Sequence, residues 1–273
     1  MIEQFHRPAT IREALALKKR YQRRAVFLAG GTYVNSSASA LCPEHLISLA
    51  GLGLDRIERK QGAVSIGALC TLQRLIDERK VPAALKVAVS QVVTRNVREA
   101  ATLGGHVASG LPYSDVIPTL VALEAKLGLS RLGAAKTIAV ADYVEKPTPG
   151  LITKIVLPRP RPGRVTACRN ARASANARSI VNAAVSMTVV RNAVMDPIVA
   201  LGGLAGHVMR LTAVEDALDG KPLPTTDELQ ALVSRSVRPA ADLSGSAAFR
   251  RYQAGVVVAL ALRDALGQKR GRR

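Results

Sequence analysis

Cysteine is scarce in this sequence: three of its 273 residues are cysteines, and no two of them form a CxxC pair. Cys42, Cys70 and Cys168 stand far apart and are odd in number, which argues against a disulfide framework and against a structural zinc site. An iron–sulfur cluster normally takes four cysteine thiolates, so this chain alone does not supply one. We expect small thiols without chemistry at these three positions.

Aromatic residues are also few, with five tyrosines, three phenylalanines and no tryptophan. Lys and Arg total 39 against 20 acidic residues, and the formal net charge of +19 favours a polyanionic partner or an acidic protein surface. However, single strands of nucleic acid are bound by aromatic stacking, and no RNP-like, zinc-finger or GxxG-type reader motif is present. We therefore predict no nucleic-acid partner and interpret the charge as a basic surface.

Long apolar runs are absent as well, since none approaches the roughly 18 residues of a membrane span. The stretch "MIEQFHRPATIREAL" does not have the charged and then apolar pattern of a signal peptide. Apolar residues still make up 48% of the chain, which is too many for a disordered protein. We expect a cytoplasmic protein with no membrane association and with one large domain or two modest ones.

Apolar spacing predicts helices and strands in both halves of the chain. In the first half we expect a helix at 9–24 capped by Thr10, a helix entered at Thr71, and strands in "AVFLAGG", "HLISL", "AVSIGAL", "KTIAVADYV" and "LITKIVLPRP". The segment "PRPRPGR" at 158–164 is predicted to be a linker because its three prolines favour extended chain. After it we expect strands in "SIVNAAVSMTVVR" and "MDPIVALGGLAGHVMRL", then helices in "TTDELQALVSRSV" and "SAAFRRYQAGVVVALALRDAL", the latter capped by Ser246.

Two glycine pairs have flanks that suggest a ligand. Gly30-Gly31-Thr32 follows a predicted buried strand, and Gly104-Gly105 follows Thr102 in "TLGGHVASGLPYSD". Adjacent glycines allow positive φ and a close backbone approach, so several N–H groups can bind one phosphate or pyrophosphate. Neither pair has the spacing of a Walker loop or of GxGxxG, and each alone is more typical of a tight turn than of a ligand site.

The flanks of both pairs resemble the FAD-binding subunits of molybdenum hydroxylases, the family of the carbon monoxide dehydrogenase medium subunit and the xanthine dehydrogenase flavin domain. The similar segments are "FLAGGTYV", "SIGALCTLQRL", "VREAATLGGHVASGLPYSDVIPTLVALEAKL", "VALGGLAGHVMRLTAVEDALDGKPL" and "DLSGSAAFRRYQAGVVVALAL". They cover nearly the whole chain in the family's order, which is far more specific than either glycine pair.

The resemblance implies an α+β fold of the PCMH type. Two α/β FAD-binding subdomains, at about 1–53 and 54–163, would form an FAD-binding domain over 1–163. A C-terminal domain over 164–273, like that of carbon monoxide dehydrogenase flavoproteins, would combine a small antiparallel sheet with helices.

The resemblance also implies FAD as the cofactor, held by three groups of residues, with no catalytic side chain and no metal ligand. They are the first loop (Val26, Phe27, Leu28, Ala29, Gly30, Gly31, Thr32 and Tyr33), the second loop (Thr102, Leu103, Gly104, Gly105 and His106), and the separate residues Asp115, Leu151 and Arg172. Two roles stay open at this point. Asp115 would either bond FAD or cap the helix that follows it, and His106 would either donate to the cofactor or only pack in its loop.

The implied function is an FAD-dependent oxidoreductase subunit of a xanthine dehydrogenase-like complex. It would relay electrons from a [2Fe–2S] partner subunit through FAD to NAD⁺ or another acceptor, with a molybdopterin-containing large subunit as the second partner. The sequence departs from the family at Tyr33 and Ala177, which replace acids, and at His106, which replaces asparagine. These departures motivate an alternative: a flavin-poor scaffold subunit of the same kind of complex.

Overall fold

A computed structural model describes residues 2–36, 39–92, 94–174 and 177–270 of the chain. A parallel three-stranded sheet occupies its first part, in the order β1 (Gln4–His6), β3 (His45–Ser48), β2 (Ala25–Leu28). Helix α1 (Ile11–Tyr21) packs on this sheet through its buried Ala14. The predicted cap is confirmed, because Thr10 Oγ1 accepts from the N–H of Glu13 at 3.1 Å.

An antiparallel five-stranded sheet follows, with strands β4 (Ile57–Lys60), β5 (Ala63–Gly67), β6 (Lys126–Arg131), β7 (Ala134–Ala139) and β8 (Leu151–Leu157). Their order in the sheet is β4-β5-β8-β6-β7. Its helices are α2 (Leu72–Asp77), α3 (Ala83–Ser90), α4 (Arg95–Ala100), α5 (Leu103–Ala108), α6 (Val116–Ala122) and α7 (Val140–Glu145). Ile66, Leu127 and Ile155 are fully buried in the core that the sheet shares with these helices.

The last part of the chain is a four-stranded antiparallel meander covered by helices. Its strands are β9 (Arg164–Arg172), β10 (Ser179–Val190), β11 (Ala193–Gly202) and β12 (Met209–Arg210), and its helices are α8 (Thr212–Leu218), α9 (Thr226–Ser236) and α10 (Ala247–Arg270). The cap predicted for α10 is confirmed, because Ser246 Oγ accepts from Phe249 N–H at 3.1 Å. Residues 158–163 lie outside any helix or strand, as expected of a linker.

The α+β class is confirmed, while the domain boundary at 163 stays a prediction. Some of the expected elements are wrong. The end of "KTIAVADYV" is helical, as α7, and β9 and α8 were not expected. The second glycine segment is not a loop, because α5 begins at Leu103 and Thr102 Oγ1 caps it by accepting from Gly105 N–H at 3.2 Å. Within the described part of the chain, no helix is both long and apolar enough to cross a membrane.

Candidate cofactor site

A cavity of about 750 Å³ lies where the first glycine loop faces α5, the segment before α6, and the start of β10. Its volume is in the range of ordinary small-molecule and cofactor sites. Eleven of the predicted site residues line it: Val26, Phe27, Ala29, Gly30, Gly31, Thr32, Tyr33, Thr102, Gly105, His106 and Asp115. Sequence reasoning thus grouped segments that are more than 60 residues apart in the chain and share one cavity.

The first glycine loop lines this cavity with a row of residues whose backbone donors are unused. Gly30, Gly31, Thr32, Tyr33 and Val34 all line it, and no acceptor among the described residues bonds to their N–H groups. The row turns at Gly31, whose φ of +72° is strained for any residue with a side chain. Consecutive backbone N–H groups of this kind bind phosphate and other anions, so the loop fits a pyrophosphate.

Gly30 is needed for packing rather than for ligand access. A Cβ at Gly30 would lie 1.7 Å from the carbonyl oxygen of Ala100, at the end of α4. The absent side chain therefore lets the first loop rest directly on the backbone that leads into α5. This contact holds the row of donors beside Thr102 and Gly105.

The second glycine segment contributes in a different way from the one expected. Its backbone donors are already used: Leu103 N–H bonds to Cys70 O at 2.9 Å, and Gly104 N–H bonds to Ala68 O at 2.8 Å. A Cβ at Gly104 would lie 2.5 Å from Ala68 Cβ, so this glycine serves helix packing and does not line the cavity. The segment offers side chains to a ligand, from Thr102 and His106, in place of the expected backbone N–H groups.

His106 is a neutral imidazole at physiological pH, because burial lowers its pKa to about 4. Its Nε2 lies 2.7 Å from Ser114 Oγ. Ser114 Oγ also accepts from the N–H groups of Val116 and Ile117 and so caps α6. The suggestion that Asp115 caps this helix is therefore wrong, and Asp115 makes no side-chain cap bond.

Asp115 instead joins the cavity wall to the C-terminal sheet. Its Oδ1 accepts from Ser179 Oγ at 2.6 Å and Asn170 Nδ2 at 3.0 Å, and its Oδ2 accepts from an Arg172 N–H at 3.1 Å. Burial raises the pKa of the carboxyl, and these three donors act against that shift. Arg172 also donates to Gln91 O but does not line the cavity, so it contacts Asp115 from outside the cavity lining.

The other predicted residues away from the cavity are apolar or glycine. Leu28, Leu103, Gly104 and Leu151 do not line it. Leu151 packs with Leu15 and Leu49 in a small core that also contacts Phe27 and Ala29. That core supports the loop from beneath, so Leu151 has an indirect role in this geometry.

Several lining residues were missed by sequence reasoning. Arg178 and Ser179 line the cavity, and the Arg178 guanidinium lies 4.7 Å from the centroid of the Tyr113 ring. No local pattern marks these two residues, because they lie just before and at the start of β10, which its pairing with β9 brings to the site. Ala177, which the sequence already marked as replacing a family acid, lines the cavity too.

Comparison with known families decides what this cavity belongs to. The family described as the FAD-binding domain in molybdopterin dehydrogenase matches residues 1–160, and the CO dehydrogenase flavoprotein C-terminal domain matches residues 166–265. The chain belongs to the FAD-binding medium subunits of molybdenum hydroxylases. Its cofactor is FAD, and its fold is that of the carbon monoxide dehydrogenase medium subunit.

Individual relatives of this medium subunit align along nearly its whole length. An uncharacterized Escherichia coli protein, YgfM, is 38% identical over 260 residues, covering 95% of each chain. The carbon monoxide dehydrogenase medium chain of Afipia carboxidovorans is 28% identical over 275 residues, covering 96% of each chain. A solved carbon monoxide dehydrogenase from Hydrogenophaga pseudoflava superposes with a TM-score of 0.91 at 26% identity, covering 98% of each chain.

The residues present fit FAD on chemical grounds. The open N–H groups of Gly30–Val34 suit its pyrophosphate, and apolar residues in the lining, among them Phe27, Val97 and Leu111, suit its ring. The fit does not depend on the side chains that replace family acids, because the donors of the first loop are backbone groups.

Proposed function

We propose that this medium subunit holds FAD in the cavity, with the pyrophosphate on the N–H groups of Gly30 to Val34, and works as a xanthine dehydrogenase-like electron relay in the cytoplasm. The observation that carries the proposal is this row of backbone donors, which lines the cavity and has no acceptor among the described residues. FAD supplies the electron-transfer chemistry when bound, and the protein's part is to bind it, orient it and exclude water.

The electrons would come from a [2Fe–2S] cluster on a partner subunit, which in turn would be reduced by a molybdopterin-containing large subunit. This chain has only three cysteines: Cys42 is exposed, Cys70 is buried and Cys168 is half-buried. A cluster therefore has to be supplied in trans. The relatives named as medium chains support such a multi-subunit assembly.

The net charge of +19 supports docking on more acidic partner subunits. We expect assembly with the iron–sulfur and large subunits to weaken as salt is raised, because exposed charges are screened. Association that is unaffected by salt between dilute and concentrated buffer would contradict this part of the proposal.

The terminal acceptor is proposed to be NAD⁺ or another electron acceptor, and one experiment distinguishes them. The test is to reduce the flavin of the purified chain without oxygen, to add NAD⁺, and to record the oxidised-flavin band together with NADH. Recovery of the band with one NADH formed per flavin supports NAD⁺ as acceptor. If the band stays bleached with NAD⁺ and returns with a quinone or oxygen, NAD⁺ is not the acceptor, although the proposal that the chain binds FAD stands.

A scaffold without flavin is the competing function. It is favoured by Ala177, which places a methyl group on the cavity wall where the family has an acid. It predicts a purified chain that retains no FAD after reconstitution and desalting, but still assembles with both partners.

A further inference from the structure

Ser114 has a fully determined set of hydrogen bonds. The residue is 3% exposed, and its hydroxyl touches three groups: the N–H of Val116 at 3.2 Å, the N–H of Ile117 at 3.1 Å and Nε2 of His106 at 2.7 Å. A serine hydroxyl has two acceptor lone pairs and one proton. The two N–H groups have to be donors and they occupy both lone pairs, so the hydroxyl proton is left for His106.

This count fixes the tautomer of His106. Because Ser114 Oγ donates to Nε2, that nitrogen is the acceptor and the imidazole proton sits on Nδ1. The ring is uncharged at neutral pH, since burial lowers its pKa to about 4. The Nδ1–H group has no hydrogen-bond partner among the residues that the structure describes, and the ring lines the cofactor cavity.

We infer that Ser114 is a positioning residue that holds His106 in the Nδ1–H form, so that an uncharged donor points to an acceptor atom of the flavin. This inference rests on the proposed function for the place of the flavin, but the tautomer itself follows from this chain alone. It gives the histidine one uncharged N–H donor, and an amide side chain likewise donates N–H without charge. A histidine in the opposite tautomer would present a lone pair there and repel a flavin carbonyl oxygen.

The tautomer can be measured directly by ¹⁵N NMR of the full chain labelled at histidine. Only four histidines are present, and the loss of one signal in a His106→Asn variant assigns it. We expect Nδ1 of His106 to be protonated at neutral pH in the flavin-free chain. We expect Ser114→Ala to abolish this preference, and Ser114→Thr, which keeps the hydroxyl, to restore it.

A matched control is Ser90→Ala, which removes a serine hydroxyl bonded to Val87 O at the end of α3 and does not line the cavity. It is expected to leave the His106 signals unchanged. A proton on Nε2 in the unaltered chain, or an unchanged tautomer in Ser114→Ala, would overturn the inference. Either result is obtained without cofactor and is therefore independent of the proposed function.

The contact with flavin is tested by adding FAD to the same sample. We expect the Nδ1–H signal to move, and Ser114→Ala to weaken FAD binding by about five- to tenfold, as for one lost hydrogen bond. Binding restored by Ser114→Thr separates the donor from a general loss of folding. FAD that binds without moving the Nδ1–H signal would refute the contact, and a chain that binds no FAD would refute the proposed function instead.

Discussion

Two Arg–Asp pairs on β9 differ chiefly in burial, and this difference makes a sharp prediction about stability. Arg172 and Asp115 are 12% and 11% exposed, whereas Arg169 and Asp264 are 51% and 36% exposed. Arg172→Met would keep an unbranched side chain but leave the Asp115 carboxylate without its charged donor. Removing one partner of a buried pair costs about 3–5 kcal/mol, whereas an exposed pair contributes about 0–1 kcal/mol.

We therefore expect Arg172→Met to lower the free energy of unfolding by about 3 kcal/mol or more, and Arg169→Met by less than about 1 kcal/mol. Urea unfolding of both variants beside the unaltered chain measures the difference. The loss of unfolding free energy in Arg172→Met, relative to the unaltered chain, should also grow as pH rises. A carboxyl whose folded-state pKa is raised loses stability as pH rises through that value, and removal of Arg172 raises the pKa of Asp115 further. Equal costs for the two variants, or a deficit that shrinks at high pH, would refute this reasoning.

Three further changes test other parts of the structure. Burial lowers the pKa of His106 from 6.5 in the unfolded chain to about 4 in the folded chain, so the free energy of unfolding should fall by about 3 kcal/mol as pH falls through that window. Urea titrations at pH 7 and pH 4 should show that His106→Asn removes this part of the acid sensitivity. Gly104→Ala should lower the melting temperature, because the added methyl group overpacks against Ala68 and destabilises the fold by about 1–3 kcal/mol. Gly206→Ala should leave the melting temperature unchanged, because the space around Gly206 is open. Glu215→Gln should cost about 1.5–3 kcal/mol in urea unfolding, because the buried carboxylate accepts from Val199 N–H and from an arginine.

The elements that sequence reasoning predicted well are defined by neighbours in the chain. Thr10 caps α1 and Ser246 caps α10 through bonds three residues away, and a threonine or serine before an apolar pattern signals such a bond. The loop of Gly30 and Gly31 follows a strand in the same way, and its open backbone groups depend on local conformation.

The parts that sequence reasoning missed depend on distant neighbours. Gly104 was expected to face a ligand, but its N–H bonds to Ala68, a residue 36 positions earlier. The pairing of β9 with β10 brings Asn170 and Ser179 onto Asp115, from 55 and 64 positions away. Nothing in the local pattern distinguishes a glycine packed on a strand end from one that opens onto a cofactor.

The most direct test of the account is the flavin content of three purified chains after FAD addition and desalting: the unaltered protein, Gly31→Trp and Gly133→Trp. Both glycines have positive φ, +72° and +77°, so both substitutions strain the backbone, but only Gly31 lines the cavity. We predict one flavin per chain in the unaltered protein and in Gly133→Trp, and none in Gly31→Trp. Equal flavin in the two variants would contradict the placement of the cofactor on the first glycine loop, and no flavin in any of the three would favour the scaffold.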